Sequence, residues 1–120
     1  MLKAIDHVNV RTANLDAMVA WYEKVLGLKS GDRPNFPFPG AWLYLGDQAV
    51  VHLVTEEAQP DSIDPQIEHF AFQAAGYDTF LAHLDAKGVT YQVAEVPGIG
   101  VTQVNIWDPD QNHIHVDFQR

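Results

Sequence analysis

Four of the six histidines in this chain stand at matching places in two halves of the sequence. Ile5-Asp6-His7-Val8-Asn9-Val10-Arg11 returns as Ile67-Glu68-His69-Phe70-Ala71-Phe72-Gln73, with His7 and His69 62 residues apart (69 − 7). Val50-Val51-His52-Leu53 returns as His113-Ile114-His115-Val116, with His52 and His115 63 apart (115 − 52). Duplicated strands that each carry an imidazole at the same step would gather four nitrogen donors around one point. The expected cofactor is therefore one divalent metal: zinc, nickel, iron, manganese or cobalt. Magnesium is disfavoured because it prefers oxygen ligands. A metal so held points to catalysis on a small molecule.

Strand alternation selects the neighbours of these histidines, because residues two apart share a face. Asn9 and Arg11 follow His7 on its face, and Gln73 lies on the face of His69. His113 and Asp117 flank His115. His113 is either an outer ligand or a group that orients the site. Asp117 either fixes a histidine tautomer or serves as general base; a solvated strand end is the plain alternative. His115 and Asp117 are the candidate catalytic pair. Trp42 and Tyr44 share one face of a strand, as do Gln103 and Asn105 in the equivalent strand of the other half. With Asn9 and Arg11 they are the candidate substrate-binding residues, although strand aromatics also serve as core. His83 reads as a solvated helix residue. Phe36 and Phe38, in a proline-rich loop, either close a cleft or anchor the loop.

The elements that must position these residues follow from period and punctuation. A strand is predicted over Ile5 to Arg11. A helix follows from Leu15 to Leu26, capped by Asn14 and stopped by Gly27. Leu28 to Arg33 reads as a short edge strand, and Pro34 to Gly40 as a loop whose prolines lack the amide donor for pairing. Ala41 to Leu45 and Gln48 to Val54 form a hairpin across Gly46-Asp47. After a polar segment from Thr55 to Gln66 the order repeats. It runs through a strand over Ile67 to Gln73, a helix over Tyr77 to Ala86 burying Phe80, Leu81 and Leu84, and strands over Tyr91 to Glu95, Val101 to Trp107 and His113 to Gln119. The pattern is βαβββ twice, an α+β arrangement in one 1–120 domain. Module 1 covers about 1–56, a linker 57–66, and module 2 about 67–120.

Composition narrows the functional classes. A net charge of −9 repels phosphate backbones and anionic lipid, which argues against nucleic-acid or membrane-surface partners. Without cysteine there is no disulfide, thiolate nucleophile or zinc–thiolate site. No apolar run approaches the roughly 18 residues that span a bilayer, and no signal peptide precedes the first strand, so the expected location is cytoplasmic.

Asp6-His7-Val8-Asn9-Val10 followed by Trp21-Tyr22-Glu23-Lys24-Val25-Leu26-Gly27-Leu28 resembles the first module of the vicinal oxygen chelate superfamily. Asp108-Pro109-Asp110-Gln111-Asn112-His113-Ile114-His115 resembles its last turn and strand. That superfamily includes glyoxalases, fosfomycin-resistance transferases, extradiol dioxygenases, methylmalonyl-CoA epimerases and bleomycin-binding proteins. The resemblance spans the chain and implies curved sheets forming an open barrel, with helices outside. It also implies a homodimer, and metal ligands on the first and fourth strands of each module, where His7, His52, His69 and His115 fall. His115 stands where a glutamate is usual, and His52 where glyoxalases often have an acid. Arg11 falls where glyoxalase-like proteins often hold an anionic substrate. A metal-dependent, glyoxalase-like lyase or isomerase acting on a small oxygenated metabolite is the implied function. The alternatives are a dioxygenase using non-haem iron and a metal-free binding protein of the bleomycin-resistance type.

Overall fold

The computed structural model describes all residues, 1–120. The chain divides into two compact units, Met1–Ser62 and Ile63–Arg120, each built as βαβββ. In the first, β1 (Val8–Thr12), α1 (Leu15–Leu26), β2 (Lys29–Gly31), β3 (Gly40–Leu45) and β4 (Gln48–Thr55) give a four-stranded sheet in the order β1-β4-β3-β2. β1 runs parallel to β4 and the other pairs are antiparallel. The second has β5 (His69–Ala74), α2 (Tyr77–Ala86), β6 (Gln92–Val96), β7 (Val101–Trp107) and β8 (His113–Gln119), in the order β5-β8-β7-β6. Its parallel pair is β5 and β8. Neither sheet closes on itself. No helix is long and apolar enough to cross a membrane.

In the first unit α1 packs on β2, β3 and β4. The helix forms because Met18, Tyr22 and Val25 fall on one face and are buried there, against a core that includes Leu28, Leu43, Val51 and Leu53. Gly27 ends it in the left-handed conformation at φ 72°, where its amide and that of Leu28 return to Glu23 and Tyr22. Asn14 precedes the helix but makes no side-chain cap; its Nδ2 reaches Gln59 Oε1 at 3.4 Å instead. In the second unit α2 sets Tyr77 and Phe80 against Phe118 of β8. Of the three apolar residues expected to be buried on α2, Leu84 is buried while Phe80 and Leu81 are half-exposed.

Two strands start later than the alternation predicts. β1 begins at Val8, so His7 sits just ahead of it, and Ile5 is exposed. The Gln48 side chain donates to the Asp6 carbonyl at 2.6 Å, taking an acceptor that a longer ladder would use. β5 likewise begins at His69, opposite His113, where β8 emerges from the Asp108–Asn112 turn. That turn is held by the buried Asp108 carboxylate, which accepts from the amides of Asp110 and Asn112 and from Asn112 Nδ2.

The alternation of β7 is regular, with Thr102, Val104 and Ile106 buried between half-exposed residues. β4 and β8 break the pattern in the same way. Val51, His52 and Leu53 are buried in succession, as are Ile114, His115 and Val116. Each of these strands is therefore covered on its second face at the histidine.

Candidate functional site

In the first unit the parallel β1–β4 pairing brings His7 and His52 face to face. Their ring centroids are 3.8 Å apart and the planes 9° from parallel. Trp42, the register partner of His52 on β3, stacks on it at 4.0 Å and 14°. Since β4 lies between β1 and β3, His52 is flanked by aromatic rings on both sides, and only 8% of it remains exposed. Burial, and then His7, hold its pKa below the ordinary 6.5; the Ala49 carbonyl and Asp6 pull the other way. That carbonyl accepts from Nε2 at 3.2 Å, so Nδ1 is the nitrogen left to donate a lone pair. In His7 the roles are reversed. Asp6 Oδ1 accepts from Nδ1 at 2.7 Å, leaving Nε2.

A cavity of about 550 Å³ opens beside these rings, lined by Asp6, His7, Trp42, Tyr44, Asp47, Gln48, Ala49 and His52. Its volume suits a small molecule, for which sites of about 300–1,000 Å³ are usual. Tyr44 is fixed in the wall by its hydroxyl, which donates to the Asp32 carbonyl at 2.5 Å. The Phe36–Phe38 loop is pinned by Arg33. The guanidinium carbon lies 5.0 and 5.2 Å from the two ring centroids, and Nη2 donates to the Phe38 carbonyl. Phe36 in turn contacts Trp42, with centroids 6.4 Å apart.

The second unit repeats the stack and adds a third imidazole. His69 opens β5 and stacks on His115 of β8 at 3.9 Å and 13°. Glu68 Oε2 accepts from Nδ1 of His69 at 2.9 Å and from Nδ1 of His113 at 2.7 Å. These hydrogen bonds, that of His113 first, hold the Glu68 carboxyl below its ordinary value. The other nitrogen of His113 lies 2.8 Å from Asn105 Oδ1, while Asn105 Nδ2 donates to the Gln92 carbonyl. His113 also stacks on Trp107, its register partner.

His69, His113 and His115 each offer a ligand atom within 4.8 Å of the others, so three histidines could hold a metal ion here. Two imidazole nitrogens on one tetrahedral ion stand about 3.3 Å apart, given bonds of about 2.0–2.1 Å. His115 is 7% exposed. Burial lowers its pKa, with His69 and His113 adding to the shift and Asp117 and Glu68 opposing it. Its Nδ1 is buried without a hydrogen-bond partner. Asp117 Oδ1, also buried and unpartnered, stands 3.9 Å away, beyond hydrogen-bond reach. A neutral imidazole with a buried, unsatisfied nitrogen beside two others is a donor set that fits a borderline divalent ion.

The remaining expected residues are placed as follows. Asn9 and Arg11 are exposed on β1, in register with His52 and Val54. Gln103 is half-buried on β7 and pairs with Asp117. Asn105 is committed to His113. His83 is half-buried and close to Phe80. Sequence reasoning gave no role to Asp6, Glu68 or Arg33. The first two carried a signal, an acidic residue directly before each duplicated histidine.

Residues 4–116 match the family model of the Glyoxalase/Bleomycin resistance protein/Dioxygenase superfamily. The chain is 32% identical over 117 residues to Glyoxylase I 4 of Arabidopsis thaliana, covering 91% of this chain and 67% of that protein. Among solved structures it is similar to a glyoxylase/bleomycin resistance protein/dioxygenase domain from Frankia sp. EAN1pec. The TM-score is 0.82 at 20% identity, covering 100% of this chain and 94% of that one. It is also similar to lactoylglutathione lyase from Agrobacterium tumefaciens, with TM-score 0.74 at 24% identity, covering 98% and 94%.

Proposed function

Because the chain belongs to the glyoxalase/bleomycin resistance protein/dioxygenase superfamily, we propose that it is a metal-dependent enzyme acting on a small oxygenated metabolite, a lyase or isomerase of the glyoxalase type. The observation that carries this reading is the stacked histidine pair in each module, together with the buried, unpartnered Nδ1 of His115. As donors to a divalent ion we propose the stacked pair of each module, His7 with His52 and His69 with His115. Such an ion, when bound, would supply Lewis acidity toward an oxygenated substrate.

The protein's own groups do the rest. Trp42 and Tyr44 form an apolar wall that orients a small molecule in the first module's cavity. Arg11 offers a planar fork for a carboxylate, with Asn9 beside it. Asp117, half-buried with an unpartnered oxygen, is the proton acceptor, and Gln103, its register partner on β7, is left to meet the substrate. Asn105 acts through His113. The active species is a homodimer, as the short chain and its family favour. Light scattering at micromolar concentration should return twice the 13.4 kDa chain mass; a monomer removes that claim.

The functional test is elemental analysis of tag-free protein, followed by turnover of thiol adducts of 2-oxoaldehydes by metal-loaded and chelator-stripped samples. Stoichiometric zinc, nickel, iron, manganese or cobalt, with turnover that chelator abolishes and metal restores, is the expected result. Consumption of dioxygen instead would make the protein a dioxygenase. Protein that retains no metal and binds none on titration would be a binding module, and the enzyme reading would fall.

A further inference from the structure

We infer that Asp6 and Glu68 are positioning residues, each fixing the histidine that follows it so that Nε2 is the donor nitrogen and each placing a negative charge behind a neutral ligand. The inference rests on the metal reading above, and the hydrogen-bond geometry is its basis. Asp6 Oδ1 lies 2.7 Å from His7 Nδ1, and Glu68 Oε2 lies 2.9 Å from His69 Nδ1. A carboxylate accepts only, so Nδ1 must carry the proton and Nε2 keeps its lone pair. Two unlike carboxylates, in two modules, make the same contact on the same nitrogen. A packing accident has no reason to repeat in that way.

Charge gives the arrangement a purpose. Neutral imidazoles bring nothing to offset a divalent cation, and a carboxylate hydrogen-bonded behind a ligand both orients the ring and raises its basicity. His52 lacks such a partner, since its Nε2 meets only the Ala49 carbonyl. His115 Nδ1 has none. The charge is therefore delivered through the first-strand histidines.

In the second module the device has one further part. Glu68 also accepts from His113, whose other nitrogen is held by Asn105. Both nitrogens of His113 thereby face acceptors. His113 thus braces the carboxylate that orients His69.

The test combines ion affinity with a measurement on metal-free protein. Nitrogen-15 NMR at pH 8.5 should find His7 and His69 of the wild type protonated on Nδ1. Glu68→Ala should release that preference at His69 and weaken zinc binding about 10- to 100-fold by competition with a chromophoric chelator. Glu68→Gln keeps an acceptor without the charge, so it should keep the tautomer and lose only part of the affinity. Asp6→Ala should act on His7 alone. Both carboxylates are on the surface, 80% and 64% exposed, so these variants should fold. Wild-type His69 protonated on Nε2, or Glu68→Ala with unchanged zinc affinity, overturns the inference. If wild-type protein takes up no zinc, the metal reading fails, and the tautomers by themselves still decide whether the carboxylates set the rings.

Discussion

Replacing His115 by leucine should strengthen the metal-free protein while weakening its response to metal. His115 is 7% exposed and its Nδ1 is buried without a partner. An unsatisfied buried polar group costs about 1–3 kcal/mol, and leucine of similar volume removes that cost. The stack on His69, at 3.9 Å, is lost and returns about 0.5–1.5 kcal/mol of it. The balance is a gain of about 1 kcal/mol, or a rise in melting temperature of about 4 °C for a chain of 120 residues. With ion supplied at a hundred times its dissociation constant, the wild type gains about 2.7 kcal/mol by mass action, and the variant should gain far less. Urea unfolding in chelator and in excess zinc reads both effects. A packing histidine would give the opposite sign in chelator. If His115→Leu lowers metal-free stability by 1 kcal/mol or more, the nitrogen is satisfied and the reasoning is wrong.

Stability of the metal-free protein should also depend on pH through His52 and His115, whose pKa values are both held below 6.5 by burial. Between those lowered values and 6.5 the unfolded chain binds more protons. The contribution is thus complete above about 6.5 and is lost as pH falls through the folded-state values; urea titrations from pH 8 to 4 should show the fall, shallower in His115→Leu. Gly40→Ala should destabilise by about 1–3 kcal/mol. Its Cβ would collide with the Leu53 carbonyl and approach Arg33 Nη2 to 2.9 Å, and an unchanged urea midpoint would contradict that packing. His115→Glu should keep divalent-ion affinity while lowering the charge of the site by one, and calorimetry showing no binding would contradict the assignment of this position as a ligand.

Much of the fold could be read because its signals are local. The helix over Tyr77–Ala86 and the strands Val101–Trp107 and His113–Gln119 agree with their predicted limits, since apolar period and turn residues coincide there. The first strand of each module starts later than its alternation predicts because its start depends on a remote partner. The Gln48 side chain occupies the Asp6 carbonyl, and residue 69 is the first with a partner on β8. Asn14 has the right chemistry for a cap, but its amide turns to Gln59, 45 residues away. Phe80 and Leu81 follow the helical period, yet only Leu84 is buried, because period alone does not say how wide a face the sheet covers.

At the site, residue type and spacing single out the histidines but do not say which nitrogen each presents. Alternation puts His113 and His115 on one face of β8 and makes them equivalent donors. Their neighbours across the sheet separate them. His113 stands opposite Trp107 and reaches both Glu68 and Asn105, so its polar atoms are satisfied within the chain. His115 stands opposite Asn105, whose amide is already engaged, and faces an aspartate 3.9 Å away that does not reach it. The same residue type, two positions apart, is in one case finished by the protein and in the other left with a buried nitrogen that only an added group can satisfy. That asymmetry is set by partners 8 and 45 residues distant in sequence. It is why His115 rather than His113 is the donor assigned to β8.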